Sequence, residues 1–304
     1  MMLTLGGCAN PENPVNIPIE NQNPELPDSN FRFLLEGAER IDLEPVEPIE
    51  STSPTMDTAE EEEEGTGATT AQSNALSQVL AYLDTRAYSG QGLIDQLVND
   101  GFTRKEAEYG VENCGADWNA QAVKRAKECL DTMAYSYDGL EEELEDQGFT
   151  SEQATHGVKN CGADWNEQAV KRAKECLDIE AYSRKDLTEE LEDQGFTSEQ
   201  ATHGVKNCGA DWNEQAVRKV QSILEGSWMS QPEAVDYLER NGFTHEQAIY
   251  GADHCEADWN EQAARKAWLY LLMGEYSRSE MISVLESQGF THEQAVYGAD
   301  ANGL

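Results

Sequence analysis

The chain has 304 residues, a formal net charge of −38 and 38% hydrophobic residues. That acidity repels nucleic acid and anionic membrane surfaces over most of the molecule and attracts basic proteins or peptides. No apolar run approaches the roughly 20 residues of a membrane-spanning helix, so any membrane association has to come from something else.

In chain order the first feature is "LGGCAN", Leu5 to Asn10. A leucine, small residues and a cysteine are what a lipoprotein signal peptidase reads, so Cys8 is the candidate lipid anchor and residues 1–7 the remnant of a signal peptide. A full signal peptide carries a basic start and about 7 to 15 apolar residues, which the expectation places upstream of Met1. If synthesis begins at Met1, the same reading leaves the protein in the cytoplasm with Cys8 unmodified. Residues 8–74 form an acidic tether. Residues 1–74 hold eight of the nine prolines and 16 Asp plus Glu against two Arg, including the run Glu60 to Glu64. Such a segment buries too little apolar surface to offset the entropy of ordering and is expected to be disordered. A flexible chain of about 65 residues has an r.m.s. span of about 45 Å, enough to lift the remainder of the chain away from a membrane. Phe31 to Leu35 is a short apolar spot within it.

From about Ala75 proline nearly vanishes and a repeat begins. "GFT" recurs at Gly101, Gly148, Gly195, Gly242 and Gly289, and "ADWN" begins at Ala116, Ala163, Ala210 and Ala257. Every step is 47 residues, and Glu142 to Val170 is identical to Glu189 to Val217. The approximate units are 75–116, 117–163, 164–210, 211–257 and 258–304. The first helix, around Asn74 to Asp84, lacks the tryptophan of the later ones, which makes about four and a half units over residues 75–304. Terminal repeats in such arrays are commonly altered.

Each unit has three helix starts. "TSEQ" at Thr150 is a capping box, in which a hydroxyl and a Gln side chain satisfy two orphan backbone N–H groups, and "TRKE" at Thr103 and "THEQ" at Thr244 and Thr291 repeat it. "DWNE" at Asp164 places a carboxylate where the helix dipole favours negative charge. "SQPE" at Ser230 has Pro232 in the first turn, where a missing N–H is harmless. Trp165, Ala169, Val170, Ala173, Cys176 and Leu177 form one apolar stripe. Leu187 and Leu191 mark the second helix, which stops at Gly195 with Phe196 turning inward. The third runs roughly from Ser198 to Cys208, with Gly204 where another backbone can approach closely. The fold class expected is all-α: tandem 47-residue three-helix, helix-turn-helix-like repeats stacked into a helical array.

The same residues argue against chemistry. Cys114, Cys161, Cys208 and Cys255 share one register and Cys129 and Cys176 another, which becomes Ile223 and Tyr270. Exchange for Ile and Tyr asks for bulk rather than sulfur, so these thiols read as buried packing, and no CxxC pair suggests zinc. His156 and His203 stand where other units have Tyr109, Tyr250 and Tyr297; His245 and His292 stand beside a cap. No Ser or Cys has a base that recurs with it, so no catalytic residue, cofactor or metal is expected. Trp118, Trp165, Trp212 and Trp259 read as wedges packing one unit on the next, with Phe102, Phe149, Phe196, Phe243 and Phe290 as a second structural register. Helix-turn-helix geometry invites a DNA-binding reading, but the cluster "KRAK" at Lys124 and Lys171 is followed by Glu128 or Glu175. The second helix reads "EEELEDQ", an acidic face toward any groove.

The stretch Ala87 to Asp131, "AYSGQGLIDQLVNDGFTRKEAEYGVENCGADWNAQAVKRAKECLD", closely resembles the repeat of the Ltp family of host cell surface-exposed lipoproteins, and the likeness covers residues 76–304. The repeat cysteines depart from that pattern. For phage- and prophage-encoded members the resemblance implies a lipoprotein anchored outside the cytoplasmic membrane that excludes superinfecting phage by blocking passage of their DNA. The leading expectation is therefore a surface lipoprotein, attached to the membrane only through Cys8, whose acidic array binds a protein partner carrying basic segments. A phage-exclusion role would make that partner an incoming phage component. The alternative is a structural or adhesive surface spacer without antiphage role.

Overall fold

A computed structural model describes residues 68–304. Cys8, the acidic tether and the Phe31 to Leu35 spot lie outside the described residues. Within them the chain forms fifteen helices and no strand, in five groups of three. The groups are α1 (Thr70–Thr85), α2 (Gly90–Asn99) and α3 (Arg104–Asn113); α4 (Trp118–Thr132), α5 (Tyr137–Asp146) and α6 (Ser151–Asn160); and α7 (Trp165–Ile179), α8 (Arg184–Asp193) and α9 (Ser198–Asn207). They continue with α10 (Trp212–Gly226), α11 (Gln231–Arg240) and α12 (His245–His254), then α13 (Trp259–Met273), α14 (Arg278–Ser287) and α15 (His292–Ala301). The half unit read at the start of the array is a complete three-helix group, since α1 begins at Thr70 under a capping box from Thr69 and Gln72.

Local chemistry sets these boundaries. Thr103, Thr150, Thr197, Thr244 and Thr291 each close a capping box with the residue three positions on. At Asp164 one carboxylate oxygen accepts from the N–H groups of Asn166 at 2.9 Å and Glu167 at 3.2 Å. Each second helix ends in a glycine of left-handed conformation; at Gly195 φ is +85°. That turn lets Phe196 N–H reach back to the Leu191 carbonyl at 3.0 Å and carries the phenyl ring into the core.

In every group the third helix packs most extensively along the leading one and the second closes the remaining side. In the third group, Ala169, Ala173, Leu187, Leu191, Phe196 and Ala201 are buried together. A fully buried leucine contributes about 2 kcal/mol, so the two buried on each of α2, α5 and α8 help hold ten-residue helices that would not survive alone, while α11 has Ala234 with Leu238 and α14 has Met281 with Leu285. The leading and third helices cross at one glycine per group: Gly110, Gly157, Gly204, Gly251 and Gly298. A methyl group added at Gly204 would lie 2.6 Å from the Ala169 carbonyl oxygen.

Candidate functional site: joints and acidic surface of the array

The groups meet through a repeated polar joint. The N-cap serine of a second helix is buried, and its hydroxyl reaches the last carbonyl of the next group's second helix. Ser89 donates to Gln147 O at 2.6 Å, Ser136 to Gln194 O at 2.7 Å and Ser230 to Gln288 O at 2.6 Å. The same oxygen accepts from its own helix, as Ser136 does from Gly139 N–H at 2.9 Å. One hydroxyl thus caps a helix and links two groups. Beside it, the Glu128 carboxylate accepts from Ala87 N–H at 3.1 Å and the Glu175 carboxylate from Ala134 N–H at 3.1 Å, each steadied by Arg125 or Arg172. The fourth joint keeps the Ser230 bond but has Leu269 in place of the glutamate, and the third joint shows no Ser183 link among the described residues. There Ser222 replaces the glutamate, and Lys219 to Glu180 at 2.7 Å with Arg218 to Leu177 O at 2.8 Å take over.

The tryptophan register sits at these joints, half-buried, with each ring on the core of the preceding group. Trp165 meets Tyr137 edge-on with ring centroids 5.3 Å apart, and the Arg184 guanidinium lies 4.9 Å from the Trp212 ring. Phe149, Phe196, Phe243 and Phe290 are buried. Phe149 and Phe196 face the link between leading and second helix of the group before. Phe102, with no earlier group among the described residues to cover it, is half-buried.

The clefts beside Phe149 and Phe196 measure about 180 and 80 Å³, and a wider one of about 490 Å³ lies beside Trp212, lined by Gly209, Asp211, Asn213 and Gln247. Among the described residues no three metal-type side chains cluster. The six cysteines there are free and, apart from the half-buried Cys114, buried. Burial pushes the Cys129, Cys176 and Cys255 thiols up, away from the reactive thiolate. Burial, then the charges of Glu143 and Glu190, raises the Tyr135 and Tyr182 phenols to about 12. His156 and His203 are exposed, whereas His245 and His292 lie 2.5 and 2.7 Å from Glu239 and Glu286.

What the array does present is carboxylate. Some of its cations are held by its own acids, as in Arg125 with Glu128, Arg265 with Glu261 at 3.0 Å and Lys266 with Glu233 at 3.3 Å. Near the end of the leading helices, Asp84, Asp131, Asp178 and Glu225 occupy one register, all exposed, none with an ion-pair or hydrogen-bond partner among the described residues. This row escapes notice in a search for catalytic spacings, and so do the joint serines. The visible signal for the serines is the 47-residue recurrence of Ser89, Ser136, Ser183, Ser230 and Ser277.

Four stretches, residues 70–114, 117–161, 164–208 and 258–301, match the family described as host cell surface-exposed lipoprotein, Ltp. The chain belongs to this Ltp family. No curated protein and no solved structure matches it. The Ltp match passes over residues 211–257, yet α10 to α12 repeat the other groups, because Asp211, Ser230 and Thr244 still cap them and Leu238 and Phe243 still fill the core. Among the described residues no helix is long and apolar enough to cross a membrane.

Proposed function

We propose that this Ltp protein is held at the bacterial surface by a lipid on Cys8 and that its acidic array captures a basic segment of a protein partner outside the membrane, in a binding rather than a catalytic role. The observation that carries the reading is the recurring exposed carboxylate at Asp84, Asp131, Asp178 and Glu225, none with an ion-pair partner among the described residues. Repetition allows several weak contacts to act together on one extended partner. Nucleic acid is disfavoured by the same charge. Family membership supports superinfection exclusion as the purpose, with an incoming phage component as the partner. The test is phage challenge of a deletion strain and of a Cys8→Ser strain. Both are expected to admit phage DNA that the parent strain excludes. Unchanged DNA passage across a broad phage panel refutes exclusion and leaves the spacer role, in which unit number can change without loss of activity.

A further inference from the structure

The five groups act as one another's controls, and the last one breaks the pattern on its solvent side. In α13, Trp268 stands where the second to fourth groups have Lys127, Lys174 and Gln221 and the first has Leu80, and Leu272 stands where all four earlier groups have an acid. Met273 comes next, where the earlier groups have Thr85, Thr132, the exposed Ile179 and Gly226, so the departure rests on Trp268 and Leu272. These residues are not core: Trp268 is 49% exposed, Leu272 63% and Met273 66%. Trp268 and Leu272 lie four residues apart and so share a helix face. The preceding joint is altered to match. Trp228 replaces the buried alanines Ala87, Ala134 and Ala181, and its ring meets Trp268 edge-on at 6.0 Å. Exposed Trp268, Leu272 and Met273, edged by the half-buried Trp228, on a chain of net charge −38 call for a cover.

Charge selects the cover. Glu225, three residues before Trp228, and Glu275, two after Met273, are exposed and unpaired among the described residues. The nearest cations on α13, Arg265 and Lys266, are bound to Glu261 and Glu233. A second copy would bring the same carboxylates against these, and an anionic membrane would meet them too. We infer that Trp228, Trp268, Leu272 and Met273 form the apolar anchor of the partner site, taking the apolar face of a basic amphipathic peptide segment whose Lys or Arg residues pair with Glu225 and Glu275. This rests on the proposed capture of a basic partner by the acidic surface and places its strongest contact at the fourth joint.

The test titrates the full chain with three synthetic peptides of equal length. One is a basic amphipathic helix with Leu and Phe on one face; the second has the same charge with Ser and Gln in their place; the third is the acidic amphipathic counterpart. The double variant Trp268→Lys with Leu272→Asp installs residues the second group already carries at exposed positions, and Trp228→Ala restores the alanine of the other joints. The unaltered chain is expected to bind the first peptide about tenfold or more tighter than the second, both variants to lose that preference, and the third not to bind. If both basic peptides bind the chain and its variants alike, the anchor is refuted while the acidic-surface reading stands. If neither basic peptide binds, both fall. A dimer in sedimentation, or uptake on phosphatidylcholine vesicles, that the double variant abolishes would assign the patch to self-association or to lipid and overturn the inference.

Discussion

Replacing Ser136 by Ala separates capping from linking. In Ser136→Ala, Gly139 N–H loses its acceptor at 2.9 Å, and loss of an N-cap costs about 1 kcal/mol. The Gln194 carbonyl also loses its 2.7 Å donor in a part-buried joint, which adds about 1 kcal/mol at the lower end of the range for an unsatisfied buried group. Ser277 supplies the comparison. It caps α14 in the same way, but it is exposed and its hydroxyl turns to Glu280 at 2.6 Å. Ser277→Ala should therefore cost only the cap, about 1 kcal/mol or less. Native-state hydrogen exchange on the full chain reads both, because it reports opening group by group. Ser136→Ala should raise exchange at the start of α5 and also at the end of α8, in the next group. Equal costs for the two variants, or an effect confined to α5, would refute the joint as a link.

Three further outcomes are expected from the same structure. Gly204→Ala forces a methyl to within 2.6 Å of the Ala169 carbonyl; overpacking of about 1–3 kcal/mol set against the roughly 1 kcal/mol gain in helix propensity should cost α7 to α9 up to about 2 kcal/mol, read by the same exchange experiment. Glu256 has φ +59° at the register where Gly115, Gly162 and Gly209 are also left-handed, so Glu256→Gly should stabilise the fourth group by about 1 kcal/mol in urea denaturation. The raised Cys129, Cys176 and Cys255 thiols and the Tyr135 and Tyr182 phenols, at about 12, keep their protons in the folded chain where the unfolded chain has lost them. Their contribution is thus intact below the ordinary thiol range, about pH 8.5, and is lost as pH rises from there toward about 12, which a series of urea midpoints across alkaline pH would show.

The period, the caps and the helix-ending glycines could be read from the sequence because they are local: a Thr or Asp hydrogen-bonds three residues along, and Gly195 turns the chain where it stands. The joints could not, because the second bond of Ser136 reaches a carbonyl 58 residues away and leaves no trace beyond the serine itself. The tryptophans show the same limit. Their fixed register suggests packing between units, but half-burial against the preceding core depends on where α4, α7, α10 and α13 begin relative to that core. The first group, lacking a tryptophan, reads as a half unit in sequence, yet α1 folds fully because Ala75 and Val79 still meet α2 and α3. The anchor patch is legible only by comparing registers: Leu272 is ordinary in isolation and unusual beside Asp131, Asp178 and Glu225.

The most direct test of the central claim is phage DNA passage into cells of the source strain that display a charge-reversed array, Asp131→Lys with Asp178→Lys and Glu225→Lys, at the same surface level as the unaltered protein. These positions are exposed, so the fold should survive reversal. The account predicts that the unaltered array blocks DNA passage and the reversed array does not. Equal protection by both would contradict a function based on capture of a basic partner by these carboxylates.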